Sequence, residues 1–413
     1  MSLDFDTDWT AVGEAGLADT IALRRAIHAD PEIGLHCPRT TDKVKAALAG
    51  LPLEYREGPS TTGLIAILRG GASGASGSNG RTVLLRGDMD ALPMTEETGL
   101  PFASRTAGAM HACGHDTHTA MLVGAAKALC ARRDELPGTV VFMFQPGEEG
   151  HHGARFMMED GLLADPAPEA AFALHISPNM PAGQLVSRPG PLLASANTIH
   201  ARINGRGGHA AMPHENIDPV PIACEIVLAL QTFIARRVPV SDPAVLSITR
   251  MIGDGGAHNI VPDRAELLGT LRTLSEATKA LMIEAFVRIV THVAAAHGAT
   301  AEAWIDDGYP VTMNDPRAVE LMRGCAEALS GDGGAEGAFA TMKAPMMGGE
   351  DFSYVLRDVP GAMAFIGVAP PGTDPATNPP LHNTRMTLDE AVMAKGIAMH
   401  CAVAERFLAN GFD

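Results

Sequence analysis

Four short apolar runs that alternate with helical patterns constrain the fold of this chain more than any other feature. The runs lie at residues 83–86, 140–144, 171–174 and 362–366. Each leads into a polar or glycine-containing segment, and helical patterns such as residues 117–132 lie between them. This alternation predicts an α/β domain whose mainly parallel sheet is covered by helices on both faces. In such sheets, functional residues collect in the loops after the carboxyl ends of the strands.

The middle of the chain follows a different pattern. Candidate strands lie at residues 198–203, 245–251 and 267–271. Two long helical stretches accompany them, at residues 219–236 and 277–297. The pattern predicts an α+β domain inserted at about residues 191–303, between residues 1–190 and 304–413 of the first domain. The 413 residues, 46% of them hydrophobic, are enough for two domains.

The composition excludes several classes of partner. Lys and Arg number 31 against 48 Asp and Glu, a formal net charge of -17 that disfavours nucleic acid and anionic membranes. No apolar run approaches the roughly 18 residues that a membrane span needs, and residues 1–10 do not resemble a signal peptide. The six scattered cysteines fit reduced thiols in the cytoplasm better than a disulfide scaffold. Residues 70–80 (GGASGASGSNG) are expected to form a flexible surface loop.

Residues 110–118 (MHACGHDTH) form the densest cluster of side chains that can bind a metal ion. Cys113 and His115 lie two positions apart, which lets both face one ion in a loop but would separate them on a helix. A helix N-terminus capped by Asp116 or Thr117, with a packed thiol nearby, is the alternative for this segment alone.

Three further segments add donors at the ends of other candidate strands. Glu148 and Glu149 follow the run at 140–144, and adjacent carboxylates on a loop can diverge, so that one binds a metal ion while the other faces a metal-bound water. His175 ends another run, and His382 lies in an irregular loop rich in Pro and Gly. Each His alone is more often a satisfied structural residue, but together the segments supply S, N and O donors at one edge of the sheet.

Seven motifs occur in order along the chain. They are DMDALP (88–93), HACGHD (111–116), QPGEEGHHG (145–153), GRGGHAAMPH (205–214), NIVPD (259–263), GTLR (269–272) and GGEDF (348–352). In their order and in their residues, these motifs resemble those of the M20 family of metallopeptidases and amidohydrolases. They most resemble its branch of hippurate hydrolases and indole-acetyl-amino-acid hydrolases. The resemblance covers nearly the whole chain, and the second and third motifs together are highly specific.

The resemblance implies a metal-dependent amidohydrolase that cleaves the amide bond of small-molecule N-acyl amino acids. It also implies a two-metal catalytic domain with an inserted lid and dimerisation domain, and therefore a homodimer or a higher homo-oligomer. Five residues would hold the metals. Cys113 would bridge both ions, His115 and His175 would complete one site, and Glu149 and His382 would complete the other.

The resemblance implies roles for five more residues. Glu148 would be the general base, and Asp90 would support a metal ligand from behind. His209 and Asn259 would stabilise the oxyanion, and Arg272 would bind the free carboxylate of the substrate. The commoner pattern of the family has His at position 88 and Asp at position 113. Here His115 replaces that nitrogen ligand, and the role of Asp88 stays open.

Charge counting favours two divalent ions over one. The Cys113 thiolate and the Glu149 carboxylate would neutralise a single ion, whereas two ions keep a net charge of +2 that can acidify water and polarise a carbonyl. Imidazole and thiolate suit Zn²⁺, Ni²⁺ or Co²⁺, while Mn²⁺ is common in this branch of the family, so we expect Zn²⁺ or Mn²⁺ first.

Other functions stay open at this point. A dipeptidase, a carboxypeptidase or an N-acetyl-amino-acid deacetylase would have the same fold. A hydrolase with Cys113 as nucleophile and His115 as base would leave Glu148 and the other donors unused, and it would keep its activity in a chelator. A non-catalytic metal-binding protein would have no need of Glu148. The sequence has neither a dinucleotide-binding fingerprint nor a P-loop.

Overall fold

The structure, a computed structural model, describes residues 7–72, 80–330 and 338–413. The helices are α1 (Trp9–His28), α2 (Pro38–Ala47), α3 (His115–Ala131), α4 (Gly153–Glu159), α5 (Pro219–Arg237), α6 (Glu276–Ala296), α7 (Pro316–Ala328), α8 (Ser353–Asp358) and α9 (Met393–Asn410). The strands are β1 (Glu54–Glu57), β2 (Leu64–Arg69), β3 (Thr82–Asp88), β4 (Thr139–Gln145), β5 (Ala170–Ser177), β6 (Leu185–Ser187), β7 (Gly190–Leu193), β8 (Ala196–Asn204), β9 (Gly208–His209), β10 (Ala244–Gly253), β11 (Ile260–Val261), β12 (Arg264–Thr273), β13 (Thr300–Tyr309), β14 (Thr312–Asn314), β15 (Phe339–Thr341) and β16 (Gly361–Gly367).

The chain divides into two compact units. The first comprises Met1–Leu192, Met313–Ala344 and Tyr354–Asp413, and the second comprises Leu193–Thr312 and Pro345–Ser353. The predicted boundary between residues 303 and 304 falls inside β13, which pairs with β8 in the sheet of the second unit. Residues 345–353 also belong to the second unit, although the sequence analysis assigned them to the first domain.

The first unit is built on an eight-stranded sheet in the order β1-β2-β4-β3-β5-β16-β6-β15. The central strands β4, β3, β5 and β16 are parallel to one another, whereas β2 is antiparallel to both β1 and β4, and β6 is antiparallel to β16. Every residue of β3 and of β16 is buried, so both faces of the sheet are covered. The predicted α/β class with a mainly parallel sheet is confirmed.

Helices α1, α3 and α9 pack against one another, and α3 and α9 also contact β3. Almost all of α3 is buried, which explains why its sequence lacks a clear polar face. This packing brings the last turn of α1 beside the first turn of α3, where Asp116 lies.

The second unit is an α+β structure. Its sheet has the order β10-β12-β8-β13, and all of its pairs are antiparallel. Alternate residues of β12 are buried because one face of the sheet packs against α5 and α6. The short strands β9 and β11 form a separate antiparallel pair in which His209 lies opposite Ile260.

Two statements of the sequence analysis need comment. Contrary to the expectation, α5 has the length and composition of a membrane span, with a mean hydropathy of 1.4. This is weak evidence for a membrane protein, because its residues Ile222, Ile226 and Leu230 pack in the core of the second unit. The predicted flexible loop at residues 70–80 lies largely outside the described residues.

Candidate metal centre and active site

The candidate site lies where the parallel strands of the first unit end. Asp88 and Gln145 are register partners at the carboxyl ends of β3 and β4, and His175 lies near the end of β5. Because β3, β4 and β5 are parallel neighbours, the loops after them meet at one edge of the sheet. Glu148 and Glu149 lie in the loop after β4.

A glycine sets the start of the helix that carries the HACGHD motif. Gly114 has φ +84° and precedes His115, the first residue of α3. A Cβ at this position would lie 2.2 Å from Cδ1 of Ile176, so both the backbone conformation and the close packing require glycine. Because Cys113 lies before this turn and His115 begins the helix, the two side chains are not splayed along one helix and their donor atoms lie in one group, as the sequence analysis required for metal binding.

All five predicted metal ligands are brought together. Their donor atoms form two groups, within each of which all atoms lie within 4.8 Å of one another: Cys113, His115 and His175, and Cys113, Glu149 and His382. Sγ of Cys113 lies 3.4 Å from Nε2 of His175 and 3.3 Å from Nε2 of His382. Since Cys113 belongs to both groups, its thiolate would be within reach of an ion in either group.

The surroundings of two histidines fit metal ligation. Nδ1 of His115 lies 2.9 Å from the carbonyl oxygen of Asp90, and Nδ1 of His175 lies 2.8 Å from that of Ile176. A carbonyl accepts only, so each Nδ1 carries the proton and each Nε2 presents a lone pair. Nε2 of His115 is buried and has no hydrogen-bond partner among the described residues. A cation held by Cys113, His115 and His175 would satisfy this nitrogen.

The electrostatics of the cluster favour a cation. Although burial opposes the charge, Asp88 and Cys113 raise the pKa of His115 well above its usual value. Hydrogen bonds with Cys113 and Glu149 raise the pKa of His382 to about 10. Burial raises the pKa of the Cys113 thiol. These directions show an excess of negative potential, and a bound divalent ion would replace the protons and favour the thiolate.

The backbone of His382 is held in an unusual conformation. Its φ of +63° is in the left-handed region, which few residues other than glycine adopt. The amide of His382 donates to the carbonyl of Ala112, 2.9 Å away, and so ties the His382 loop to the HACGHD motif. Such conformations are often retained where a function needs them.

Asp90 supports the two neighbouring glutamates through their backbone. Its carboxylate is buried and accepts the backbone N–H of Glu148 at 2.9 Å and that of Glu149 at 3.0 Å. Its own carbonyl orients His115, as described above. A carboxylate oxygen of Glu148 lies 3.9 Å from Nε2 of His115, so the predicted base faces the metal-ligand cluster. Gly147, with φ +75°, shapes the turn before the two glutamates.

Asp88 is held by two buried partners. Oδ1 accepts from Nδ1 of His118 at 2.6 Å, and Oδ2 pairs with Arg86 at 2.6 Å. Nε2 of His118 accepts the backbone N–H of Ile176, so both ring nitrogens of His118 are used and it is not free to bind a metal. The sequence analysis included His118 in the cluster at residues 110–118 but gave it no role, and it did not single out Arg86. The three-residue spacing of His118 from His115 on one helix was the local signal for His118.

Three predicted site residues lie in the second unit. Nδ1 of His209 accepts the backbone N–H of Ala211 at 3.1 Å, so its Nε2 carries the proton and can donate. The carbonyl of Asn259 accepts from Ala210, which places Asn259 beside His209. Arg272 is half-buried, burial lowers the pKa of its guanidinium, and within the described ranges the guanidinium has no ion pair or hydrogen bond. Their roles stay predictions.

Comparisons with known proteins agree with this geometry. The profile of peptidase family M20/M25/M40 matches residues 84–406, which include all the candidate site residues. Thermostable carboxypeptidase 1 of Saccharolobus solfataricus is 36% identical over 94% of this chain and 95% of its own length. The IAA-amino acid hydrolase ILR1-like 4 of Arabidopsis thaliana is 34% identical over 94% of this chain and 85% of its own length. N-acetylcysteine deacetylase of Bacillus subtilis is 36% identical over 90% and 92%.

A solved structure supports the same assignment. The YXEP protein of Bacillus subtilis, a dinuclear metal-binding peptidase from the M20 family, superposes with a TM-score of 0.80. It is 33% identical, and the alignment covers 96% of this chain and 99% of that protein. The two donor groups that share Cys113 are consistent with a dinuclear centre. This chain therefore belongs to peptidase family M20/M25/M40 and is a metal-dependent hydrolase that acts on amide bonds.

Proposed function

We propose that this protein hydrolyses N-acyl amino acids to a carboxylic acid and a free amino acid. The observation that carries the proposal is the pair of donor groups that share Cys113, with the carboxylate of Glu148 beside them. When bound there, two divalent ions would polarise the substrate carbonyl and lower the pKa of water. Metal-assisted hydrolysis also needs a base, which the donors themselves do not supply.

Glu148 is placed to move the proton. As a carboxylate it accepts a proton from the attacking water, and as a carboxylic acid it then donates this proton to the leaving amide nitrogen. Water adds to the carbonyl carbon, the C–N bond breaks, and the products are a carboxylate and an amine. Asp90 holds the backbone of Glu148 in place during both transfers.

Arg272 supports a substrate with a free carboxylate next to the scissile amide. A half-buried guanidinium without an anionic partner in the described chain is suited to bind a carboxylate in a bidentate manner. N-acyl amino acids have this group, and so do the peptides on which a carboxypeptidase acts. The carboxypeptidase of Saccharolobus solfataricus therefore makes peptide hydrolysis the second candidate.

The acyl group is best found by a paired screen. Hippurate, N-acetylcysteine and indole-acetyl amino acids test the acyl side, and short peptides with the same C-terminal residue test the carboxypeptidase alternative. We expect the highest kcat/KM among the N-acyl amino acids. Higher values for the peptides would assign the protein to the second candidate.

The donors set the choice of metal. Cys113, His115 and His175 offer one sulfur and two nitrogens, while Glu149 and His382 add an oxygen and a nitrogen. Thiolate and imidazole favour Zn²⁺, whereas the carboxylate side also suits Mn²⁺. We propose Zn²⁺ or Mn²⁺, with Ni²⁺ and Co²⁺ as alternatives, and metal analysis of protein purified without added metal is the test.

Cysteine-nucleophile catalysis is the weaker alternative. Histidine nitrogens lie near Sγ of Cys113, as a thiol mechanism would need. However, burial raises the pKa of this thiol, which disfavours the reactive thiolate when no metal ion is bound. A thiol mechanism also has no use for Glu149 or His175.

The deciding experiment separates the two neighbouring glutamates. Glu148→Gln should keep both ions and lower kcat by a factor on the order of 10² or more, because it removes only the base. Glu149→Ala should lose one ion, because it removes a ligand. Glu159→Gln, at an exposed position at the end of α4, is the matched control and should change neither.

Metal analysis and steady-state kinetics of the three purified variants are the measurements. If Glu148→Gln lost metal and Glu149→Ala kept both ions, the two roles would be reversed. If Glu148→Gln kept the activity of the wild type, the proposed mechanism would be wrong.

The homodimer and the cytoplasmic location stay proposals. All six cysteines are unpaired, which supports a reducing compartment. Sedimentation of the purified protein would test the oligomeric state, and cell fractionation would test the location.

A further inference from the structure

The last turn of α1 contributes three cations to a largely buried cluster. Nε of Arg24 and Nδ1 of His28 both donate to Oδ2 of Asp116, at 2.9 Å and 2.8 Å. Nε2 of His28 donates to Oε1 of Glu96 at 3.1 Å. The other charged members of the cluster are Arg25 and Glu390. Arg24 and Arg25 both pair with Glu390, which precedes α9. The cluster therefore joins three cations to three carboxylates.

The geometry requires His28 to carry a charge. Each of its ring nitrogens faces a carboxylate oxygen, and a neutral imidazole can donate from only one nitrogen. As an imidazolium it balances the cluster, because three positive charges then meet three negative ones. The side chains of His28, Asp116 and Glu96 are at most 3% exposed, so water cannot compensate an unbalanced charge.

The surrounding groups support this charge state. Although burial opposes it, Asp116 and Glu96 raise the pKa of His28 to about 9. The same contacts lower the pKa of both carboxyl groups, so neither competes for the proton. The other imidazole nearby is that of His111, whose pKa burial lowers to about 4, so it stays neutral. Phe102 packs edge-on against His28 and adds no charge.

Both partners of His28 lead to metal-ligand segments. Asp116 follows His115 in the first turn of α3. Glu96 precedes Glu97, whose backbone N–H donates to the carbonyl of Thr384 at 2.8 Å. The hydroxyl of Thr384 in turn donates to the carboxylate of Glu97 at 2.9 Å. Thr384 lies two residues after His382, so one imidazolium connects the segments that supply a ligand to each donor group.

We propose that His28 is a positioning residue that, as a doubly protonated imidazolium, sets the spacing between the segments of His115 and His382. Within the described part of the chain it has no hydrogen bond or ion pair with the candidate metal ligands, and it acts through Asp116 and Glu96. The inference rests on the proposed two-metal function, because the spacing matters only if both donor groups bind an ion.

Substitution of His28 by Gln is the main test. A Gln amide can donate to one carboxylate but presents its oxygen to the other, so the bridge opens. We expect His28→Gln to weaken the binding of one Zn²⁺ ion by about 10-fold, as for other groups that orient metal ligands indirectly. Competition with a chromophoric chelator measures this affinity without any assay of activity. Lys45→Gln is the matched control, since Lys45 pairs with Glu57 at the surface and outside the cluster, and the affinity of this variant should stay within about twofold of the wild type.

The charge state has its own readout. In the ¹⁵N-histidine-labelled protein, the ring nitrogens of His28 should both carry protons at pH 7.5 and titrate near pH 9. The stability that the charged ring confers is present below its unfolded pKa and is lost as the pH rises through the folded value. Thermal unfolding temperatures should therefore fall between about pH 7 and pH 9 in the wild type, and less so in His28→Gln.

Glu96→Gln gives a second variant in case His28→Gln does not fold. It removes one of the two carboxylates, so we expect His28 to titrate at a lower pH and Zn²⁺ to bind more weakly. A neutral His28 ring at pH 7.5, or unchanged Zn²⁺ affinity in a folded His28→Gln or Glu96→Gln protein, would overturn the inference. If the wild type bound only one ion, or Glu148→Gln stayed fully active, the proposed function would fail while the NMR result still decided the charge of His28.

Discussion

Substitution of Asp90 tests whether the backbone position of Glu148 and Glu149 controls catalysis. Its carboxylate binds the backbone N–H groups of Glu148 and Glu149, at 2.9 Å and 3.0 Å, and it is almost fully buried. Asp90→Asn keeps the shape of the side chain but replaces one acceptor oxygen by an NH₂ group. One of the two backbone N–H groups would then face another donor.

The size of the effect follows from these contacts. A hydrogen bond to a charged group contributes about 1.5–3 kcal/mol, and a buried donor without a partner costs about 1–3 kcal/mol. The neutral amide is easier to bury than the carboxylate, which offsets part of this loss. We therefore expect Asp90→Asn to lower the free energy of unfolding by about 2–4 kcal/mol.

The catalytic effect should be larger than the loss of stability suggests. If the segment moves to relieve the clash, Glu148 moves with it, and a displacement of about 1 Å at a catalytic group can lower the rate by about 100-fold. Glu149 moves too, so the affinity for one ion should fall as well. Urea unfolding, steady-state kinetics and metal analysis measure the three quantities.

Asp160 provides a matched control. Its carboxylate also accepts a backbone N–H, that of Ser60, at 3.0 Å, and it lies in a different part of the first unit. Asp160→Asn should reduce stability without changing kcat or metal content. The reasoning would be refuted by an Asp90→Asn protein whose kcat lies within threefold of the wild type, or by equal losses of activity in both variants.

Three further predictions follow from the site. Dialysis against a chelator should abolish turnover without unfolding the chain, and readdition of Mn²⁺ or Zn²⁺ should restore it, whereas full activity after rigorous chelation would contradict metal dependence. Arg272→Ala should raise KM for N-acyl amino acids by about 10-fold or more, and it should change KM much less for the corresponding amides, which lack the negative charge. An equal rise in KM for acid and amide substrates would exclude Arg272 from substrate binding. His209→Ala should keep its metal content and lower kcat by about 100-fold, as expected for loss of an oxyanion donor, and unchanged turnover would exclude that role.

The sequence was sufficient to predict the five candidate metal ligands that the structure brings together, because their motifs follow the ends of strands and match a known family. The α/β class was also predictable, since the runs that became β3, β4, β5 and β16 are apolar throughout. Strand β13 was harder to assign, because most of its residues are exposed or half-buried and its partner β8 lies about 100 residues earlier. Its pairing, which moves the domain boundary, is a long-range property.

The partners of the ligands could not be found in the same way. His28 and Asp116 are 88 residues apart in the chain, and His118 meets Ile176 across 58 residues. No local pattern distinguishes such residues from ordinary polar residues at a helix end. They become visible only when the packing of α1 on α3, and of β3 beside β5, places their side chains together.

The position of Asp88 shows why the departure from the commoner family pattern is consistent with the same chemistry. An additional carboxylate near the donors would lower the net charge of the centre and weaken its power to polarise a carbonyl. Here Oδ2 of Asp88 lies 3.4 Å from Nε2 of His115 but 2.6 Å from the buried Arg86, whose charge compensates it. With Asp88 compensated in this way, Cys113 and Glu149 would be the anionic ligands that offset the charge of two divalent ions, and the ions with these ligands would keep a net +2. Arg86 therefore compensates the charge of the aspartate at position 88, where the commoner family pattern named in the sequence analysis has a histidine.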